Sequence, residues 1–116
     1  MGAVRILVVD DEANARLALQ ELLEEEGYEV MTATGRLEDL QAAAGFRPQV
    51  ALIDVKARRA LAALDPRPIL VLMSTRDLPL SDAETLFVRK PLNLAELFAT
   101  IATAVKRGGA LGEPGG

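Results

Sequence analysis

The chain has 116 residues, half of them apolar, with 13 basic and 17 acidic side chains and a net charge of −4. That length fits one domain with one aliphatic core, because aromatics are confined to three Phe and one Tyr. With no Cys and no His, disulfides, thiolate or imidazole metal sites and histidine catalysis are excluded, and the acidic balance disfavours direct nucleic-acid binding.

In chain order, Val4 to Val9 is a short, β-branched apolar run that ends in Asp10 and Asp11, as a buried strand would. Ala15, Leu19, Leu22 and Leu23 recur at helical spacing, and Gly27 is placed to close that helix. Tyr28 to Thr32 reads as a second strand. Arg36 to Ala44 reads as a second helix, with Gly45 and Pro48 marking its exit. Val50 to Ile53 is a third buried strand and again ends in an acid, Asp54. Ala57 to Leu64 predicts a short helix stopped by Asp65 and Pro66. Ile69 to Met73 is the most apolar strand, and Leu86 to Val88 a brief fifth one. Asn93 and Glu96 form a capping-box pattern at the head of a last helix, and residues 108–116 read as a flexible Gly-rich tail or linker after a domain spanning 1–107. No targeting signal or membrane span is visible, so the chain is expected to be soluble and cytoplasmic.

Strands alternating with helices imply right-handed crossovers and one parallel sheet covered on both faces. In such sheets ligands sit beyond the carboxyl ends of the strands. The residues expected there are Asp10, Asp11, Asp54, Ser74, Thr75 and Lys90. Taken singly, each has a commonplace explanation as a cap or turn residue. Together they form a set of three carboxylates, two hydroxyls and an ammonium. Clustered carboxylates repel one another, and a hard divalent cation with oxygen ligands relieves that conflict, which points to Mg²⁺. Metal and Lys90 together would neutralise charge developing during transfer of a phosphoryl group to a carboxylate.

These segments resemble the receiver domains of two-component response regulators. Ile6 to Glu12 resembles their opening strand and acid pocket, Ala33-Thr34-Gly35 their second turn, and Leu52-Ile53-Asp54 their phosphoacceptor strand. Met73 to Asp77 resembles their hydroxyl-bearing turn, and Arg89-Lys90-Pro91-Leu92 their Lys-Pro segment. The resemblance implies a flavodoxin-like five-stranded sheet of order 2-1-3-4-5. It implies Asp54 as phosphoacceptor from a sensor histidine kinase or phosphotransfer protein. Asp11 would ligate Mg²⁺ directly, Asp10 would act through water, and the backbone carbonyl of Lys56 would be a further ligand. Ser74, or Thr75 after a one-residue shift, would contact the phosphoryl group, Lys90 would pair with it, and Phe87 would be a switch aromatic. Phe87 has an ordinary alternative as a strand residue packed under the last helix. The resemblance also implies that Lys56 and Arg76, two residues past Asp54 and Ser74, would tune phosphate lifetime, the ordinary alternative being that both are solvated loop side chains.

Such a domain is a phosphoacceptor that catalyses only its own phosphorylation and dephosphorylation. An effector domain beyond residue 116 and a homodimer are both compatible with it, and neither nucleic acid nor membrane is an expected partner. The crossovers on either side of the fourth strand are short, predicting a reduced third helix and a reduced or missing fourth. That leaves a phosphorylation-independent pseudo-receiver as the alternative. An Asp-nucleophile phosphatase fits less well, because Lys56 stands where its second Asp would be. A nucleotide-binding role lacks a Gly-rich first turn.

Overall fold

The computed structural model describes residues 2–76 and 85–112. Five parallel strands, β1 (Arg5–Val9), β2 (Glu29–Ala33), β3 (Val50–Asp54), β4 (Ile69–Ser74) and β5 (Leu86–Arg89), form one sheet of order β2-β1-β3-β4-β5. Helices α1 (Ala13–Glu25), α2 (Leu37–Phe46) and α3 (Leu94–Gly112) and a 3-10 helix, Val55–Ala63, connect and cover it. This is the doubly wound, flavodoxin-like arrangement expected from the alternating pattern.

The period of two along each strand sorts the core into two clusters. Ile6, Val8, Val50, Leu52, Val71, Met73 and Val88 pack with Leu19 and Leu23 of α1 and with Leu97, Ile101 and Ala104 of α3. Leu7, Val9, Ala51, Ile53, Leu70 and Leu72 pack with Leu40 and Ala43 of α2 and with Ala57 and Leu64 on the other face. Alternation also settles Phe87. Leu86 and Val88 lie in the first cluster with α3, so Phe87 lies against the second, and its packing is not under the last helix.

Local endings follow the backbone chemistry in most places. Gly27, at φ +93, closes α1 through Gly27 N–H to Glu24 O (3.0 Å) and Tyr28 N–H to Leu23 O (3.2 Å). The exit of α2 differs from expectation. Gly45 stays inside the helix, and Arg47 takes the left-handed conformation (φ 54) instead. Its carbonyl accepts a bond from Arg5 Nε (3.0 Å), a contact across the foot of the sheet that holds this strained residue in place. At α3 only half of the capping box forms. Asn93 Oδ1 accepts from Glu96 N–H at 3.0 Å, while no return bond from the Glu96 side chain occurs among the described residues.

The connection from β3 to β4 has fourteen residues, 55–68, and the short helix expected over Ala57 to Leu64 starts at Val55 and takes the 3-10 pitch in place of the commoner α one. Length explains the change. The chain must run back along a five-residue strand, about 16 Å. Nine residues rise about 18 Å as a 3-10 helix but only about 14 Å as an α-helix. The connection from β4 to β5 has eleven residues, 75–85. The predicted loss of the fourth helix falls on 77–84, outside the described residues. Finally, α3 continues through Gly112, past the position Gly108 at which the tail was expected to start. A Cβ on Gly108 would stand 3.6 Å from Ile69 Cγ1 and 3.8 Å from Gln49 O, so the helix backbone lies close against the foot of the sheet. Residues 113–116 lie outside the described residues.

Candidate functional site

Four strands, β1, β3, β4 and β5, end on the same edge and deliver the predicted polar residues there. Asp10 follows β1 and is buried at 5 % exposure. Its Oδ1 accepts from Glu12 N–H (3.0 Å), and its carbonyl accepts from Arg16 Nη1 of α1 (2.7 Å), so the first helix grips the turn it leaves. Asp11 is exposed, and its Oδ1 accepts from Gly35 N–H at 3.2 Å. A Cβ at Gly35 would stand at ordinary van der Waals distance from Ala57 Cβ (3.4 Å) and Asp11 Oδ1 (3.5 Å), so this turn lies close against both. The turn carrying Gly35 is clasped by Asp39 Oδ2, which accepts from both the hydroxyl (2.7 Å) and the N–H (3.1 Å) of Thr34. Those bonds hold the Asp39 carboxyl below its ordinary value.

Asp54 ends β3. Its Oδ1 accepts from Lys56 N–H (2.9 Å) and its Oδ2 from Lys90 Nζ (2.5 Å). Lys90, just past β5, also reaches Asp10 Oδ2 at 3.2 Å, so one ammonium bridges the acids of two adjacent strands. The backbone of Lys90 is itself fixed by its N–H to Ser74 O (2.8 Å). Burial pushes the Asp54 carboxyl up, but the bond from Lys90, the bond from Lys56 N–H and the two positive charges outweigh it, and the net shift is downward. Burial likewise pulls Lys90 down, and its bonds to Asp54 and Asp10 and their charges raise it overall.

Asp10, Asp11, Glu12, Asp54, Lys56 and Lys90 line one cavity of about 210 Å³. Ser74, the buried last residue of β4, and exposed Thr75 do not line it. They line a neighbouring hollow that shares Lys56 with it. Ser74 Oγ accepts from Arg76 N–H at 3.0 Å. Phe87 is half-buried on the second core cluster.

No protein-family model matches the chain. Curated relatives do. Over 117 residues the chain is 32 % identical to the transcriptional regulatory protein PdtaR of Mycobacterium tuberculosis, covering 89 % of this chain and 57 % of that protein. It is 33 % identical over 118 residues to the response regulator MprA of Mycobacterium sp. strain KMS, covering 90 % and 51 %. Among solved structures, the chemotaxis protein CheY4 of Vibrio cholerae superposes with a TM-score of 0.69 at 26 % identity, covering 89 % of this chain and 99 % of that one. The chain belongs with the response-regulator receiver domains. It spans about half the length of the curated relatives that it matches.

In this receiver the acids are arranged around Lys90. Among the described residues no three acidic side chains stand together as a ready-made metal cluster, because Asp10 and Asp54 face the ammonium and Asp11 turns to Gly35. The donor set nonetheless suits Mg²⁺. Four carboxylates and two ammoniums line the cavity, leaving a formal charge of two negatives for a divalent ion to balance. All the acidic donors are oxygens.

Two features of this receiver were not legible as site elements. Arg16 reads as a polar position on the first helix, yet it grips the Asp10 carbonyl. Arg58 and Arg59, which fall within the short helix expected over Ala57 to Leu64, line the hollow beside Ser74. Their adjacency to Lys56 in sequence is the one signal that marks them. No described helix is long and apolar enough to cross a membrane.

Proposed function

We propose that this receiver accepts a phosphoryl group on Asp54 from the phosphohistidine of a sensor kinase or phosphotransfer protein in the cytoplasm. The observation that carries the reading is the placement of Asp54 at the end of β3, paired with Lys90 beside Asp10 at one cavity. Asp11, Asp54 and the backbone carbonyl of Lys56 would hold Mg²⁺, with Asp10 acting through water. A bound Mg²⁺ supplies charge neutralisation on the phosphoryl oxygens.

A carboxylate oxygen of Asp54 attacks phosphorus as the P–N bond of the phosphohistidine breaks, and the imidazole leaves. The depressed Asp54 carboxyl keeps the nucleophile ionised at neutral pH. Lys90 then passes from the carboxylate to a phosphoryl oxygen without leaving its backbone anchor on Ser74. The Ser74 hydroxyl, whose oxygen accepts from Arg76 N–H, keeps its proton to donate to another oxygen. Thr75, one residue on, is the alternative donor, and Phe87 is the residue expected to register the change. The domain acts on itself alone and not on a separate substrate. The greater length of the relatives supports an effector domain elsewhere in the full protein.

The direct test is intact-mass spectrometry after incubation with phosphoramidate and Mg²⁺. One phosphoryl group should appear on the wild type and none on Asp54→Asn. Absence in the wild type, or equal labelling of the variant, would overturn the assignment. The short crossovers, fourteen and eleven residues long, favour a second reading as a phosphorylation-independent interaction module. Beryllofluoride with Mg²⁺ separates the two, since a module of that kind would show no NMR shift around Phe87.

A further inference from the structure

A second hollow adjoins the phosphoacceptor cavity. It measures about 710 Å³ and is lined by Lys56, Arg58, Arg59, Arg76 and the hydroxyl residues Ser74 and Thr75, with no carboxylate lining it among the described residues. All four cationic residues are exposed. None of them forms an ion pair with a described residue. The chain as a whole carries 17 acids against 13 bases, so four cations around one recess are a local reversal of its charge. Like charges lining one recess repel one another, and an anion seated among them relieves that cost.

The lining also narrows the kind of anion. Guanidinium forks pair bidentately with phosphate oxygens, and two hydroxyls add neutral donors. Four positive charges in one recess call for a ligand that packs several negative charges into a small volume, which a phosphate chain does better than a carboxylate-bearing peptide. Among the described residues no aromatic lines the hollow, so they offer no platform on which a nucleobase would stack. We propose that this hollow is a binding site for a compact polyphosphate-type anion, recognised through its phosphate chain and not through a base. Lys56 belongs to both recesses, so an anion here lies directly beside the Asp54 cavity.

Calorimetric titration of the full chain with sodium tripolyphosphate in Mg²⁺-free buffer tests this. Saturable one-to-one binding is expected, weakening as salt is raised. The Arg58→Glu, Arg59→Glu double variant should weaken it by about a hundredfold, since each of the two lost charge-assisted bonds is worth about tenfold. Arg58→Lys, Arg59→Lys should recover much of the affinity, and ATP and GTP should bind alike. Because the altered side chains are exposed, amide spectra should confirm an intact fold in both variants. Amide shifts should cluster at residues 55–59 and 74–76. An absence of saturable binding, an affinity indifferent to charge reversal, a marked preference for one base, or tighter binding of a polyglutamate peptide of equal charge would overturn the proposal. Phosphoramidate labelling of Asp54 is read separately, so failure here leaves that assignment standing.

Discussion

The two halves of the sheet are built to different standards. On the β2-β1-β3 side, each strand is joined by an α-helix of ten or more residues, and the acid-bearing turns are tied down by Arg16, Gly35 and the Thr34–Asp39 clasp. On the β3-β4-β5 side, one crossover is stretched into a 3-10 helix and the other has eleven residues. Yet Lys90, the cation that binds both acids, comes from the lean side. A parallel sheet explains how this works. The position of a strand end is fixed by pairing with its neighbour, here Ser74 against Arg89 in register, so the connecting segment can shrink without moving the residue it delivers.

The largest expected contrast is in the core. Leu52, fully buried on β3, should lose about 3–4 kcal/mol on substitution by Ala, whereas Leu64→Ala, at the end of the shortened crossover, should lose about 2 kcal/mol. Urea unfolding measures both, and equal losses would show that the lean side is packed as firmly as the other. Next in size is the site itself. Lys90→Met should slow phosphoramidate labelling of Asp54 by about a hundredfold, because the charge opposing the developing phosphoryl oxygens is gone. A rate within a few-fold of wild type would mean that the bridge from the lean side is dispensable.

The same bridge sets a pH window. Asp54 is shifted below its ordinary value of 3.8, so its contribution is present above that value and is lost as pH falls through the lower folded value. Lys90 is shifted above 10.5, so its contribution is complete below that value and is lost as pH rises through the higher folded one. Melting temperatures of the metal-free protein should therefore be flat between these limits, and Lys90→Met should flatten the flanks. The effect should be under about 1 kcal/mol, because solvent screens the partly exposed ammonium. The smallest prediction concerns the better-built side. Arg47→Gly should stabilise by about 0.5 kcal/mol, the relief of left-handed strain being offset in part by a more flexible unfolded chain. A loss of stability in thermal melts would show that the Arg47 side chain matters more than its backbone.

Much of this was legible in the sequence, and for one reason. Apolar runs that stop at Asp10, Asp54 and Ser74 mark both a strand and its end, and parallel sheets put those ends together. Connections were harder to read. Ala57 to Leu64 has the composition of a helix, but the pitch it adopts depends on the distance to be spanned, which local composition does not encode. Gly45 was a sensible place to stop α2, yet the bond from Arg5, 42 residues away from Arg47, decided the exit. The face taken by Phe87 was hidden because every residue in Leu86-Phe87-Val88 is apolar and alternation has nothing to grip. Nor could strand ends alone show that Asp10 and Asp54 would meet on Lys90.

The aliphatic core has a practical consequence for watching this molecule. With no Trp and one Tyr, intrinsic fluorescence is a poor reporter, but the three Phe are well dispersed. Phe98 packs on the α1/α3 cluster, Phe87 on the opposite one, and Phe46 ends α2. Fluorine-labelled phenylalanine would thus give three resonances, with one on each face of the sheet and one at a helix end. Nothing would have to be engineered into the chain to tell a change on one face from a change on the other.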